Sequence, residues 1–308
     1  MRTPTAGSLI RVLNAAILIN PTSGKGRSAK NAPIAVARLR ERGAKVAVLE
    51  GADERESLQL ARQAVADGTD ALIACGGDGT VHLALQAVYG TNTALGIIPV
   101  GTGDDIARAL DLPRGDPGAA ADVIADGRTR SIDYAVINAA DGVERAYLAV
   151  MSVGFDSEVT ERANTMRWPS GQSRYLVATV AELGVFKPVE FTITVDDATS
   201  HETGMMLALG NGPSYGGGMR VCPAAVLDDG QLDLTFLAST GKLTFLRIFP
   251  SVFKGTHVNH PTVRTMRGSR VRVEAPGQTA YADGERVGPL PVDVRVVSRG
   301  LRVFAPVA

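Results

Sequence analysis

Apolar runs at residues 15–20, 45–49, 70–75 and 94–100 alternate with stretches at 28–42, 54–67 and 81–89 whose apolar positions recur at helical spacing. Short, near-continuous apolar runs bounded by turn residues predict strands buried on both faces, and the longer stretches predict helices. Strands and helices that alternate in this way build a doubly wound parallel sheet, which binds ligands beyond the carboxyl ends of its strands. The pattern changes after Ser131. Strand-like runs at 134–138, 146–151, 189–195, 205–209, 232–237, 270–274 and 292–297 then dominate, with helical patterns only at 173–186 and 242–253. The chain therefore reads as an α/β domain over 1–131 and a β-rich domain over 132–291.

Three of the predicted strand ends carry glycine clusters: ILINPTSGKG at 17–26, ALIACGGDGT at 71–80 and PVGTGDDIAR at 99–108. Each cluster leaves a strand and enters a helix, where turn amides and the helix N-terminus together suit phosphate oxygens. Lys25, Arg27 and Lys30 add positive charge to the first. In the second, Asp78 is of the type that orients a magnesium-coordinated phosphate or its water, and Thr80 offers a hydroxyl. Asp78, Asp104 and Asp105 would equally serve as helix caps. Two common phosphate loops are excluded: Gly24, Lys25 and Gly26 lack the Walker spacing, and Ile106 stands where a Rossmann fingerprint needs glycine.

The length of 308 residues suits two domains, since single cores rarely grow beyond about 250 residues. Lys plus Arg and Asp plus Glu each number 32, so no basic excess advertises a nucleic-acid partner. Cys75 and Cys222 are too few for a disulfide framework, which points to a reducing compartment. No run approaches the ~18 apolar residues of a membrane span, and the first residues lack a signal-like apolar stretch. A cytoplasmic location is the expectation.

These motifs resemble the diacylglycerol kinase catalytic family, which includes bacterial lipid kinases and sphingosine kinases. NPTSG at 20–24, GGDGT at 76–80, PVGTGDDIAR at 99–108, GFD at 154–156, the YGGG-to-DDG segment at 215–230 and DGE at 283–285 occur in family order over nearly the whole chain. The resemblance implies an N-terminal nucleotide domain and a C-terminal β-sandwich, as in NAD kinases, with a catalytic cleft between them. The last strands, near 292–308, would return to the first domain. It implies an ATP-dependent kinase that phosphorylates the hydroxyl of a diacylglycerol-like or sphingoid lipid, with Mg2+ and ATP bound. Asn20, Pro21, Thr22, Ser23, Gly24, Gly76, Gly77, Asp78, Gly79, Thr80 and Thr102 would hold ATP. Asp78 and Asp105 would join the magnesium and water network, and Asp283 would be the general base. A structural magnesium would sit on Asp229 and the backbone carbonyls of Val226 and Gln231. The lipid would be met at the inner face of the membrane through peripheral contact, and a homodimer is left open. One departure stands out: Asp104 replaces the family's usual asparagine, adding a carboxylate beside the expected triphosphate, where it would repel unless compensated.

Other readings remain at this point. Asp283 with Gly284, and Asp229 with Gly230, also fit ordinary hairpin turns. His257 and His260 are spaced HxxH without a third zinc ligand, and Ser214 lacks the GxSxG elbow of a hydrolase. An NAD kinase-like enzyme would share GGDGT, though GFD and YGGG speak against it. A non-catalytic nucleotide- or lipid-binding regulator would share all of the loops.

Overall fold

The computed structural model describes residues 12–20, 26–166, 168 and 172–306. Strands β1 (Asn14–Ile19), β2 (Lys45–Glu50), β3 (Ala71–Gly76) and β4 (Ala94–Pro99) pair in parallel in the order β2-β1-β3-β4. Side chains on a strand alternate between faces, which sorts the apolar residues into two layers. Ile17 and Ile73 face helices α1 (Arg27–Glu41) and α5 (Pro117–Ala125) through Leu39 and Ile124. Leu18 and Leu72 face helices α2 (Glu54–Ala66) and α3 (Asp78–Val88) through Ala61 and Leu85. A short helix α4 (Asp105–Ala109) follows β4. The expected doubly wound arrangement is thus present, with α5 as an addition that its short, alanine-rich sequence does not advertise. Asp116 starts α5 by accepting from Ala119 N at 2.9 Å, with Pro117 in the first turn where its missing N–H costs nothing.

The second half is a β-sandwich. It contains β5 (Thr129–Ala139), β6 (Glu144–Tyr147), β7 (Val150–Gly154), β8 (Val189–Val195), β9 (Ala198–Gly210) and β10 (Leu232–Ala238). It continues with β11 (Val263–Gly268), β12 (Arg270–Glu274), β13 (Thr279–Ala282), β14 (Glu285–Pro289) and β15 (Val292–Phe304). Tyr147, Phe191, Leu207, Leu234, Phe236 and Val273 fill its core, with Phe191 edge-on to Phe236 at 5.6 Å. Helices α6 (Phe155–Thr165), α7 (Gln172–Val185) and α8 (Lys242–Ile248) form a separate cluster on β9 and β10 through Phe155, Met205, Leu237 and Phe245. β15 joins the two halves: it runs antiparallel to β5 and β12, and its Val303 pairs in parallel with Leu95 of β4.

Three sequence-based elements differ from the structure. The run at 146–151 is two strands, because the N–H groups of Leu148, Ala149 and Val150 turn away from the ladder to bind a carboxylate. The helix expected over 242–253 ends at Ile248 and tightens into a 3-10 turn over Phe249–Lys254, where Pro250 cannot continue the helical hydrogen bonding. β15 extends well past 297, since its register shift between Val297 and Leu301 breaks the period-two pattern.

Candidate active site

The carboxyl ends of β3 and β4 face the start of β7 and the β13–β14 turn across a polar cleft of about 290 Å³. Gly77, Asp78, Gly79, Thr102, Asp105 and Asp283, all expected from sequence to serve the reaction, line it. Gly76 and Thr80 do not. The Thr80 side chain lies against Gly76, and its hydroxyl is buried without a hydrogen-bond partner. Both residues support the loop from behind. Asn20 follows β1, whereas Pro21, Thr22, Ser23 and Gly24 lie outside the described residues.

The two glycine loops press backbone against backbone. A Cβ on Gly101 would sit 2.5 Å from the Cα of Gly77, so Gly101 has no room for a side chain at that crossing, while one on Gly77 would be tight at 3.2 Å from the Gly101 Cα. Asp104 closes the second loop by accepting from Gly101 N at 3.0 Å. Its φ of 51° is left-handed, a conformation that asparagine and aspartate adopt more readily than other side chains. Asparagine and aspartate are both suited to this backbone. The carboxylate is turned onto its own loop instead of lining the cleft, and burial pushes its pKa up while the Gly101 N–H opposes the shift.

Asp78 starts α3 and accepts from Ile106 N at 3.2 Å. Burial first, then the charge of Asp105, push its carboxyl up to about 7, against the Ile106 N–H. Asp105 spans the cleft. One oxygen accepts from Arg108 at 2.5 Å and Ser214 Oγ at 3.1 Å, and the other accepts from Gly217 N at 2.6 Å. It thereby ties α4 to the YGGG segment, a positioning role that engages both of its oxygens.

Asp283 and Gly284 are the central residues of the β13–β14 turn, with φ of 52° and 87°. Asp283 is thus at once a hairpin-turn residue and part of the cleft lining. Asp283 accepts from Leu148 N at 2.9 Å, Ala149 N at 2.8 Å and Val150 N at 3.3 Å. His82 Nδ1 approaches it at 3.4 Å from α3. Burial alone would lower the His82 imidazole, but the hydrogen bond to Asp283 and the charges of Asp283, Glu285 and Glu54 outweigh it and hold the group above its ordinary value. A raised folded value means that the pair's stability is complete below the ordinary histidine value of about 6.5 and is lost as pH rises through the folded one. Unfolding by urea between about pH 5.5 and 9 should show that slope in the parent and not in His82→Asn; equal slopes would assign it to another group.

Asp156, from the GFD motif, marks the inner end of the cleft. Its Oδ2 is buried without a hydrogen-bond partner, and burial raises its carboxyl against hydrogen bonds from Tyr215 and Ser152. Asp156, Tyr215, Gly216 and Met219 also line a second, apolar cavity of about 380 Å³ walled by Phe155, Met206, Leu237, Phe245 and Phe249. The polar and apolar chambers thus share a boundary. Roles for His82, Ser214 and Asp156 did not emerge from the sequence, because their partners Asp283, Asp105 and Tyr215 lie on distant segments, whereas Arg108 pairs locally with Asp105 and Gly103.

Among the described residues, no three His, Cys, Asp or Glu side chains converge as a closed metal cage. Magnesium shared between one or two carboxylates, waters and substrate phosphates needs none. Asp78, raised by burial first and then by the Asp105 carboxylate beside it, fits such a shared ion. Asp229 is differently placed, away from the cleft lining. It accepts from Gln231 N at 3.0 Å and pairs with Arg267, while Val226 is exposed. Buried Asp133 secures the same loop by accepting from Gly230 N and Arg299 N, each at 2.6 Å.

Residues 14–137 match the diacylglycerol kinase catalytic domain, and residues 149–305 match the YegS C-terminal NAD kinase beta sandwich-like domain. The chain is 45% identical over 290 residues to a diacylglycerol kinase of Mycobacterium tuberculosis, covering 94% of each chain. It is 28% identical over 296 residues to a diacylglycerol kinase of Bacillus subtilis, covering 95% of this chain and 96% of that one. A diacylglycerol kinase crystal structure from Bacillus anthracis shares the fold with a TM-score of 0.73 at 19% identity, over 96% of this chain and 98% of that one.

Proposed function

The chain belongs to the diacylglycerol kinase family and is a lipid kinase, and from that premise we propose that it transfers the γ-phosphoryl group of ATP to the hydroxyl of diacylglycerol. The observation that carries this reading is the junction at Asp156, where a polar, glycine-lined cleft meets an apolar cavity. A diacylglycerol has the matching division: acyl tails for the cavity and one hydroxyl for the cleft. Asp156 and Tyr215 orient the glycerol head, and the amides of Gly77, Gly79 and Gly103 receive phosphate oxygens near the N-termini of α3 and α4.

Asp283 takes the hydroxyl proton as the lipid oxygen bonds to the γ-phosphorus and the bond to the departing ADP oxygen breaks. Its contacts to Val150 N and His82, at 3.3 and 3.4 Å, are the longest of its four and the ones that can yield an oxygen lone pair. When bound, magnesium supplies positive charge at the phosphates, and Asp78 would hold it. Labelled ATP offered with diacylglycerol, sphingosine and NAD tests the reading. Label in diacylglycerol above the other acceptors is expected; transfer to NAD, or to no acceptor, overturns it.

We also infer a weaker magnesium site at Asp229, where the ion would compete with Arg267. Asp229→Ala should lower the melting temperature and abolish any rise on magnesium addition. A parent melting temperature that is flat across a magnesium titration would remove the ion from this loop.

A further inference from the structure

The wall of the apolar cavity continues onto the surface. Leu243 and Leu246, one helical turn apart on α8, are 72% and 47% exposed, and Phe253 just beyond is 50% exposed. Val185 at the end of α7 is 64% exposed, and Lys242 Nζ donates to the neighbouring Gly184 carbonyl at 2.6 Å, which joins the two elements. A succession of rings leads inward from this patch. Phe253 meets Phe249 at 6.2 Å, Phe249 meets Phe245 at 6.0 Å, and Phe245 meets buried Phe155 at 4.8 Å. Phe245, Phe249 and Phe253 themselves line the cavity.

Charge is distributed unevenly here. The chain as a whole is neutral, yet no acidic residue lies between Asp233 and Glu274. Exposed Lys242, Arg247 and Lys254 flank the apolar residues. Large exposed apolar side chains ringed by cations suit the boundary between acyl chains and anionic headgroups, where the apolar groups insert and the cations reach the phosphates.

We propose that the face formed by α8, the following 3-10 turn and the end of α7 docks the enzyme on an anionic lipid bilayer. Leu243, Leu246 and Phe253 enter the acyl boundary while Arg247 and Lys254 contact headgroup phosphates. This rests on the lipid-kinase reading of the cavity, because docking there lets a tail pass from bilayer to pocket along the rings without crossing water. A second copy of the chain is a poorer occupant of this face. A two-fold contact centred on it would bring its cations against their own copies, with no acidic partner from the same segment.

The test is co-sedimentation with vesicles of phosphatidylcholine, with and without phosphatidylglycerol, at low and high salt. The parent should prefer the anionic vesicles and lose that preference in salt. Leu243→Asp/Leu246→Asp should weaken binding by about tenfold or more, and Arg247→Gln/Lys254→Gln should remove only the anionic preference. Both pairs are on the surface, and Leu243→Ser/Leu246→Ser replaces the aspartate pair should that one fail to fold. Phosphorylation of dispersed, short-chain dioctanoylglycerol should persist in the leucine variants while that of long-chain diacylglycerol in vesicles falls. Parent-like vesicle binding by the leucine variants overturns the proposal, as does a halved mass in gel filtration with vesicle binding intact, which would make the face a dimer contact. A parent that phosphorylates no lipid in any format overturns the kinase reading, while sedimentation still decides the docking face.

Discussion

Asp283→Asn should lower lipid turnover by about 100- to 10,000-fold, the usual contribution of a general base. The change is nearly isosteric, but the structure adds a second consequence. Three backbone N–H groups point at the carboxylate, from Leu148, Ala149 and Val150. An asparagine offers one oxygen, so its amide nitrogen must face at least one of those donors. An unpaired buried N–H costs about 1–3 kcal/mol, and the variant should melt at a lower temperature than the parent. Turnover is therefore compared well below that temperature, with ATP binding as the control for an intact cleft. Retained ATP binding with turnover reduced as above supports the base. Turnover within about threefold of the parent, far short of a general-base effect, would reassign the proton acceptor, and Asp78 would be the next acid to test.

The other large effect is expected at Gly101→Ala. Its new Cβ would lie 2.5 Å from the Gly77 Cα, whereas ordinary contact begins near 3.4 Å. The obstacle is the Gly77 backbone together with the Asp104 carboxylate that closes the loop, so one of the two glycine loops must move by about 1 Å, a displacement that can cost about 100-fold when it misplaces a reacting group. The loss should appear in kcat/KM for ATP. Gly118→Ala is the matched control: on helix α5 its Cβ meets only Asp116 Oδ1, at 3.4 Å, and activity should not change. Parent-like ATP kinetics in Gly101→Ala would remove this loop crossing from the nucleotide site.

Local pattern was sufficient for the parallel half of the fold. β1, β3 and β4 are short apolar runs buried on both faces, and each is followed in the sequence by a glycine-rich stretch, so composition and position carry the same message. In the sandwich, the first part of β9 was hidden because residues 199–203 are an unbroken polar run without period-two alternation. The DGE motif was legible as a turn and, through its family, as a cleft residue, but neither reading on its own showed that one hairpin serves both ends.

What the sequence by itself determined is where glycine clusters fall between a strand and a helix, because such a cluster is a local property of the chain. What only the tertiary structure decided is how the acids divide their work. Asp283 receives N–H groups from more than 130 residues earlier in the chain, Asp105 grips Ser214 and Gly217 across the cleft, and Asp104 folds back onto Gly101. Asp156 stands where two chambers meet. These acids look alike in sequence, and their chemistry diverges because hydrogen-bond partners and desolvation come from segments that only folding brings together.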